Sequence, residues 1–363
     1  MKFIDLRTQY QQVKTDLDSR VQNVLDHGHY ILGAEVGELE SRLAEFVGVK
    51  HCIAVSSGTD ALLVALLVLN VGPGDEVITT PFSFIATAES IALVGARPVF
   101  VDIDPRTYNI DVQKIEDAIT EKTKAIMPVN LYGQCVDFDE LNIIAAQHKL
   151  PVVEDAAQSF GATYKSQESC GLGTIGCTSF YPAKPLGCYG DGGACFTDDD
   201  QLAQKMRWVL NHGQEKGYHH VTLGINGRLD TIQAAILLSK LAIFDVELQK
   251  RQQVAKWYTQ ALQRHVTTPY VKSCNLSAWA QYTIEVQNRD AFRETLNAKG
   301  IPTAVHYPLP LYQQPVFAYL AKDTDHYPNA DRSAKQVVSL PFHPYMTEKE
   351  VLFVVEAILN FKA

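Results

Sequence analysis

The segment SFYPAKPLGCYGDGGA, residues 179–194, carries one lysine, Lys184, among aromatic, proline and glycine residues whose only other charge is Asp191. A lysine desolvated in such company has a lowered pKa and becomes a nucleophilic amine suited to Schiff-base chemistry. The plain alternative is a surface lysine on a loop. A second segment, PVVEDAAQSFGA, ends an apolar run on Glu154 and Asp155. A carboxylate there can hold a ligand cation or a protonated ring nitrogen, or it can cap the following helix. A third segment, VSSGTDALL, places Ser57, Gly58 and Thr59 between an apolar run and a helical one. The glycine lets backbone approach an anion and the hydroxyls can donate to it, or the three simply cap a helix after a tight turn.

These residues must be positioned by the elements around them. From about residue 50 the chain alternates short β-branched runs (HCIAVSS, DEVITT, RPVFVDI, AIMPVNLYG, PVVEDAA, CTSFYPA, GACFTDD) with helical stretches such as TDALLVALLVLN, TAESIALVGA and FDELNIIAAQHKL. That pattern predicts an α/β fold with a mostly parallel central sheet covered by helices on both faces. The stretch Arg228 to Leu262 has no interior glycine or proline, which predicts one long helix able to join two domains. Beyond it a strand is expected at AQYTIEVQ, a helix at RDAFRETLNAKG, a strand at PTAVHYP and helical periods at DRSAKQVVS and TEKEVLFVVEAILN. The expected division is a large domain over residues 1–249, which includes an N-terminal segment, and a smaller α+β domain over residues 250–363.

In an open parallel sheet, ligands sit beyond the carboxyl ends of the strands, where helix N-termini bind anions. The turn at Gly58, the carboxylates at 154–155 and Lys184 each follow a strand, so all three are expected on that edge. Together they are the set that pyridoxal phosphate requires: an anion cradle for its phosphate, a carboxylate for its pyridinium nitrogen and a lysine for its aldehyde.

Taken in order, SSGTDAL, VEDAAQSFGA, SFYPAKPLGCYGDGGA and NGRLDTIQAAIL resemble the DegT/DnrJ/EryC1/StrS family of pyridoxal-phosphate sugar aminotransferases. The resemblance runs over nearly the whole chain, from FIDLRTQY and GHYILGAEVGELE to PTAVHYPLPL and SLPFHPY. It implies the type I pyridoxal-phosphate (aspartate aminotransferase) fold, in a homodimer whose active sites are shared across the interface. By the same resemblance Lys184 is the Schiff-base lysine and proton shuttle, and Asp155 is the partner of the pyridinium nitrogen. Gln158 is then assigned to the phenolic oxygen of the cofactor and Phe84 to its ring face. Ser57, Gly58, Thr59 and Ser179 are assigned to its phosphate, which Asn226 reaches from the other subunit. Arg228 of the partner subunit, His306 and Tyr307 fall to the sugar. Each has a plain counterpart: Phe84 as core, Ser179 as a strand hydroxyl, Asn226 as a turn residue beside Gly227, Arg228 as a cap or ion pair for the Asp230 helix, and His306 as a core histidine.

Some relatives carry histidine in place of the lysine and act as dehydrases; Lys184 favours transamination. YILGAEV, RLDTIQAAILL and PTAVHYPLPL are most similar to the branch acting on UDP-2-acetamido-2-deoxy-ribo-hex-3-uluronate. That branch transfers the amino group of L-glutamate to the 3-keto carbon, on the way to diacetamido-uronic acids of bacterial surface polysaccharide, the O-antigen of lipopolysaccharide. A 4-ketosugar aminotransferase would share every cofactor residue. A non-catalytic cofactor-binding sensor would have no use for the intact Lys184, Asp155 and Gln158 set.

Composition narrows the classes further. The net charge of −9 over 363 residues argues against broad binding to nucleic acid or anionic membrane, so an anionic ligand must be held locally. The start, MKFIDLRTQYQQ, lacks an apolar signal region, and ALLVALLVLNVG is too short to span a bilayer, so a cytoplasmic location is expected. Seven scattered cysteines without CxxC spacing read as reduced, mostly buried thiols. GLGTIG (171–176) formally matches GxGxxG but precedes a strand instead of a helix. His212, His219 and His220 lack a carboxylate or cysteine at ligand spacing, so no metal site is expected.

Overall fold

The first strand of the sheet, β1 (His51–Val55), shows why the sheet is buried on both faces. Ile53 and Val55 point into one apolar cluster and Cys52 and Ala54 into another, as the two-residue period of a strand dictates. The computed structural model describes residues 1–320 and 326–361. Six further strands complete the sheet: β2 (Glu76–Thr79), β3 (Arg97–Phe100), β4 (Thr123–Met127), β5 (Val153–Asp155), β6 (Ile175–Ser179) and β7 (Gly193–Thr197). Their spatial order is β3-β2-β4-β5-β6-β7-β1, with β4 and β5 joined by the parallel bridges Ile126↔Val152 and Val129↔Asp155. Every neighbouring pair is parallel except those made by β7, which is antiparallel to both β1 and β6. The mostly parallel sheet is therefore present.

Helices α1 (Leu6–His27) to α6 (Asp200–Val209) and α7 (Thr231–Leu241) dress this sheet. On one face α3 (Gly58–Val68) buries Ala61, Leu62, Val64 and Leu66 with α6; on the other α2 (Ala34–Val47) and α7 pack Leu39, Leu43, Leu237 and Leu238 against Phe160 and Phe196. Helix α3 is apolar nearly all round, as a helix buried on several sides must be. Helix α4 (Ala86–Leu93) follows β2, and α5 (Phe138–Gln147) lies between β4 and β5.

The single long helix expected over 228–262 is two: α7 ends at Leu241 and α8 runs from Phe244 to Leu262. Ile243 leaves helical geometry (φ −109°, ψ 1°), which lets Phe244 turn under the sheet against Phe46 and Phe160. Tertiary packing breaks the helix where no glycine or proline announces it. Helix α8 leads into a layer formed by β8 (Tyr282–Glu285) and β9 (Val337–Leu340), an antiparallel pair, with α9 (Arg289–Ala298), α10 (Pro328–Gln336) and α11 (Glu348–Leu359). Tyr258, Tyr282, Leu296, Val338 and Val354 share its core. Two expectations fail in this layer. PTAVHYP is not a strand: its prolines limit ladder bonding, and its backbone pairs with β9 at the single bridge Ala304↔Ser339 among the described residues. DRSAKQVVS is helical only to Gln336, after which β-branched Val337 and Val338 pair with β8.

Candidate active site

The carboxyl ends of β1, β2, β5 and β6 open into one cleft of about 530 Å³. It is closed from the far side by the segment carrying His306 and Tyr307. The cleft is lined by Ser57, Gly58, Thr59, Phe84, Asp155, Gln158, Ser179, Lys184, His306 and Tyr307. Asn226 and Arg228 do not line it.

At its floor, α3 begins with Ser57 as N-cap, whose hydroxyl accepts the Asp60 N–H at 3.0 Å. The cap leaves the N–H groups of the first turn facing the cleft, a place where an anion is favoured. Gly58 is required by close approach: a Cβ there would lie 2.6 Å from the Cβ of Ser179 at the end of β6. One turn therefore both caps α3 and lines the cleft.

Strand alternation separates the two adjacent carboxylates. Glu154, fully buried, accepts hydrogen bonds from Asn130 Nδ2 (2.7 Å), Ser169 Oγ (2.9 Å) and the backbone N–H groups of Cys170 (2.8 Å) and Leu172 (3.2 Å). It is a structural group with its oxygens committed. Asp155 faces the cleft instead. Its Oδ2 accepts from Thr87 Oγ1 at 2.7 Å, which in turn meets Ser83 Oγ at 2.9 Å, and its Oδ1 accepts the Ala157 N–H at 3.2 Å. Burial pushes the Asp155 carboxyl pKa up, opposed by the Thr87 and Ala157 bonds and by the charge of Lys184. Asp155 is thus a stronger base than an ordinary aspartate. Thr87, on α4, carries no sequence signal that distinguishes it from any helical threonine.

Lys184 projects from the turn after β6, its own N–H bonded to the Tyr181 carbonyl at 2.9 Å. Its Nζ makes no hydrogen bond among the described residues. Burial lowers its pKa, and the negative charge of Asp155 opposes this in part. Gln158 is locked at both ends of its amide: Oε1 accepts the Tyr132 N–H at 2.9 Å, and Nε2 donates to Tyr307 Oη at 3.1 Å. Phe84 is 52% exposed and tilts toward the Tyr307 ring at 6.1 Å, so it is no core residue. His306 shares a hydrogen bond between Nδ1 and Ser339 Oγ (2.8 Å), and burial, followed by the Lys184 charge, lowers its pKa to about 4. The imidazole is therefore neutral at pH 7.

Arg228 sits beside the end of β1, bridged to Val55, and donates from Nη1 to Asn211 Oδ1 at 2.5 Å. Among the described residues it makes no ion pair with Asp230, and its Nε is buried without a hydrogen-bond partner. Asn226 is exposed on the return of the hairpin formed by Gln214–Lys216 and His219–His220. Lys184 is the sole lysine or arginine lining the cleft among the described residues, against the carboxylates of Asp155 and Asp191.

Residues 11–359 match the model of the DegT/DnrJ/EryC1/StrS aminotransferase family. The chain belongs to this family. It is 54% identical over 361 residues to the UDP-2-acetamido-2-deoxy-3-oxo-D-glucuronate aminotransferase of Pseudomonas aeruginosa, covering 99% of this chain and 100% of that one. A crystal structure of a DegT DnrJ EryC1 StrS aminotransferase from Brucella abortus superposes with a TM-score of 0.97 at 44% identity, covering 99% of each chain. The structure of NtdA from Bacillus subtilis with bound cofactor PMP gives a TM-score of 0.89 at 31% identity, covering 98% of this chain and 82% of that one. The aspartate-aminotransferase architecture expected from sequence is thus the architecture of this family member.

Proposed function

We propose that this protein is a pyridoxal-phosphate-dependent aminotransferase that moves the amino group of L-glutamate to the 3-keto carbon of a UDP-linked 2-acetamido-hexuluronic acid. The observation that carries the cofactor assignment is the meeting of an unpartnered Lys184 Nζ, the buried carboxylate of Asp155 and the Gly58 turn in one cleft. The donor set fits the group. The α3 N-terminus with Ser57, Thr59 and Ser179 would hold its phosphate, Asp155 its ring nitrogen, Gln158 its phenolic oxygen and Phe84 its ring face. When bound, pyridoxal phosphate supplies a carbonyl carbon for amine exchange and a ring that withdraws electrons from the carbon being deprotonated.

The protein residues supply the rest. Burial lowers the Lys184 pKa and so favours the neutral amine, the form in which Nζ can act as a nucleophile and can then accept and return a proton. Thr87 fixes the Asp155 carboxylate, and its raised basicity strengthens its hold on a shared proton. Tyr307, whose phenol burial keeps protonated, and neutral His306 present hydrogen-bonding groups without charge at the sugar end.

The proposed ligands, a phosphate, a dicarboxylic amino acid and a nucleoside diphosphate uronate, are all anionic. A single chain offers them one lysine and two carboxylates, so cations must enter from elsewhere. Arg228 and Asn226 lie outside their own cleft, in a stretch that also exposes Leu223 and is bridged through Asp230 to exposed Ile31. This supports a homodimer in which Arg228 and Asn226 of the partner subunit complete the site. Among the described residues no helix is long and apolar enough to cross a membrane, in keeping with a cytoplasmic enzyme that makes nucleotide sugars for surface polysaccharide such as O-antigen.

The substrate assignment rests on the 54% identity to the P. aeruginosa aminotransferase. It is tested by incubating the enzyme, pyridoxal phosphate and L-glutamate with the UDP-linked 3-keto uronate and with a 4-keto nucleotide sugar. A 3-amino uronate product with stoichiometric 2-oxoglutarate supports the assignment; amination of the 4-keto sugar alone overturns it.

A further inference from the structure

Lys240 is buried to 1% exposure in the last turn of the mostly apolar helix α7 and takes no part in the chemistry above. Its ammonium is directed at the segment that carries Lys184: Nζ donates to the Gly187 carbonyl and lies 4.7 Å from the centre of the Tyr189 ring. Gln233, seven residues earlier on α7 and so on the same face, accepts the Tyr189 N–H at 2.9 Å. Helix α7 therefore grips residues 187–189 at two points. The turn is compact on its other side, where the Cys188 N–H bonds the Phe180 carbonyl at 2.7 Å. A Cβ at Gly187 would lie 2.6 Å from the Tyr181 carbonyl oxygen.

A buried ammonium needs compensation, and Glu247, also 1% exposed, supplies it from the first turn of α8. Glu247 is fixed in turn by Gln9 Nε2 of α1 (3.0 and 2.9 Å) and by the hydroxyl of Tyr345. Arg251, one helical turn further on, ties the cluster to the Trp279 carbonyl at 2.9 Å.

We propose that Lys240 is a positioning residue for Lys184: through the Gly187 carbonyl it fixes the 181–188 turn and thereby the reach of the Lys184 amine, with Glu247 as its counter-charge. The inference concerns the same site as the proposed function, and its test separates the two. Full-length wild type, Lys240→Met and Glu247→Gln are compared by amide hydrogen exchange with and without pyridoxal phosphate, by thermal melting and by steady-state kinetics. Lys240→Met is expected to speed exchange at the Lys184 and Cys188 amides at least about tenfold. It should also lower kcat about 10- to 100-fold, as a misplacement of about 1 Å does, while KM for the nucleotide sugar stays within about twofold. Glu247→Gln, nearly isosteric, should move both readouts the same way by a smaller factor, and it serves as the test if Lys240→Met does not fold. Wild-type exchange in this turn with unchanged kcat in a folded variant overturns the role of Lys240, whatever the wild-type enzyme is found to do. So does a rise in KM with kcat unchanged.

Discussion

Thr87→Val is the perturbation that isolates the electrostatics of the site, since it exchanges one hydroxyl for a methyl group and leaves every group assigned to the cofactor in place. The hydroxyl donates to Asp155 Oδ2 at 2.7 Å inside the protein. A hydrogen bond to a charged group contributes about 1.5–3 kcal/mol, and one pKa unit corresponds to about 1.4 kcal/mol. Losing it should raise the already elevated Asp155 pKa by a further one to two units or so. The ionised carboxylate is the form that holds a ring proton, so the acid limb of the pH–rate profile should move to higher pH by a similar amount. Because Asp155 and its bound partner titrate together, the shift belongs to the pair. At a fixed pH on the acid limb the rate of amine transfer from L-glutamate, followed by stopped-flow absorbance, should fall about 10- to 100-fold. Thr87→Ser keeps the hydroxyl and should recover most of both. An unmoved acid limb with a rate within about twofold of wild type would refute the idea that Thr87 sets the state of Asp155.

Gly58→Ala places a methyl 2.6 Å from the Ser179 Cβ and should cost about 1–3 kcal/mol of stability and weaken pyridoxal phosphate binding about tenfold or more, measured by melting and by equilibrium titration. Mixing Lys184→Ala with Arg228→Ala protein should restore part of the activity through hybrid dimers; no recovery despite verified subunit exchange counts against a shared site. His306 and His343 both have folded-state pKa values lowered to about 4, chiefly by burial. The unfolded chain binds protons near pH 6.5 and the fold does not, so stability should be lost as pH falls from about 6.5 toward 4, by up to about 3 kcal/mol for each residue. Urea titrations at pH 7 and pH 5 read this loss, and His343→Gln should reduce it.

Lys184, Asp155 and the Gly58 turn are legible in the sequence because a buried parallel sheet concentrates its ligand groups just after apolar strands, where any polar residue stands out. The same logic cannot separate Glu154 from Asp155. Only the facing of successive side chains, fixed by strand register, assigns one to a buried hydrogen-bonded cluster and the other to the cleft. Thr87 and Lys240 are invisible for a different reason. Each lies within a helical run, and its partner is 68 or 53 residues away in sequence. The break between α7 and α8 comes from Phe244 packing under the sheet, a tertiary demand that overrides a continuous helical pattern. The same competition turns Val337–Leu340 into a strand beside β8.

The central claim is that Lys184 is the amine that engages the cofactor. Its most direct measurement is borohydride reduction of the pyridoxal-phosphate-loaded protein, followed by peptide mass spectrometry. The structure predicts a single pyridoxyl-modified lysine, Lys184, absent from Lys184→Ala and diminished when L-glutamate is added before reduction. Modification of another lysine, Lys240 included, or no modification at all in protein that binds the cofactor, would contradict it.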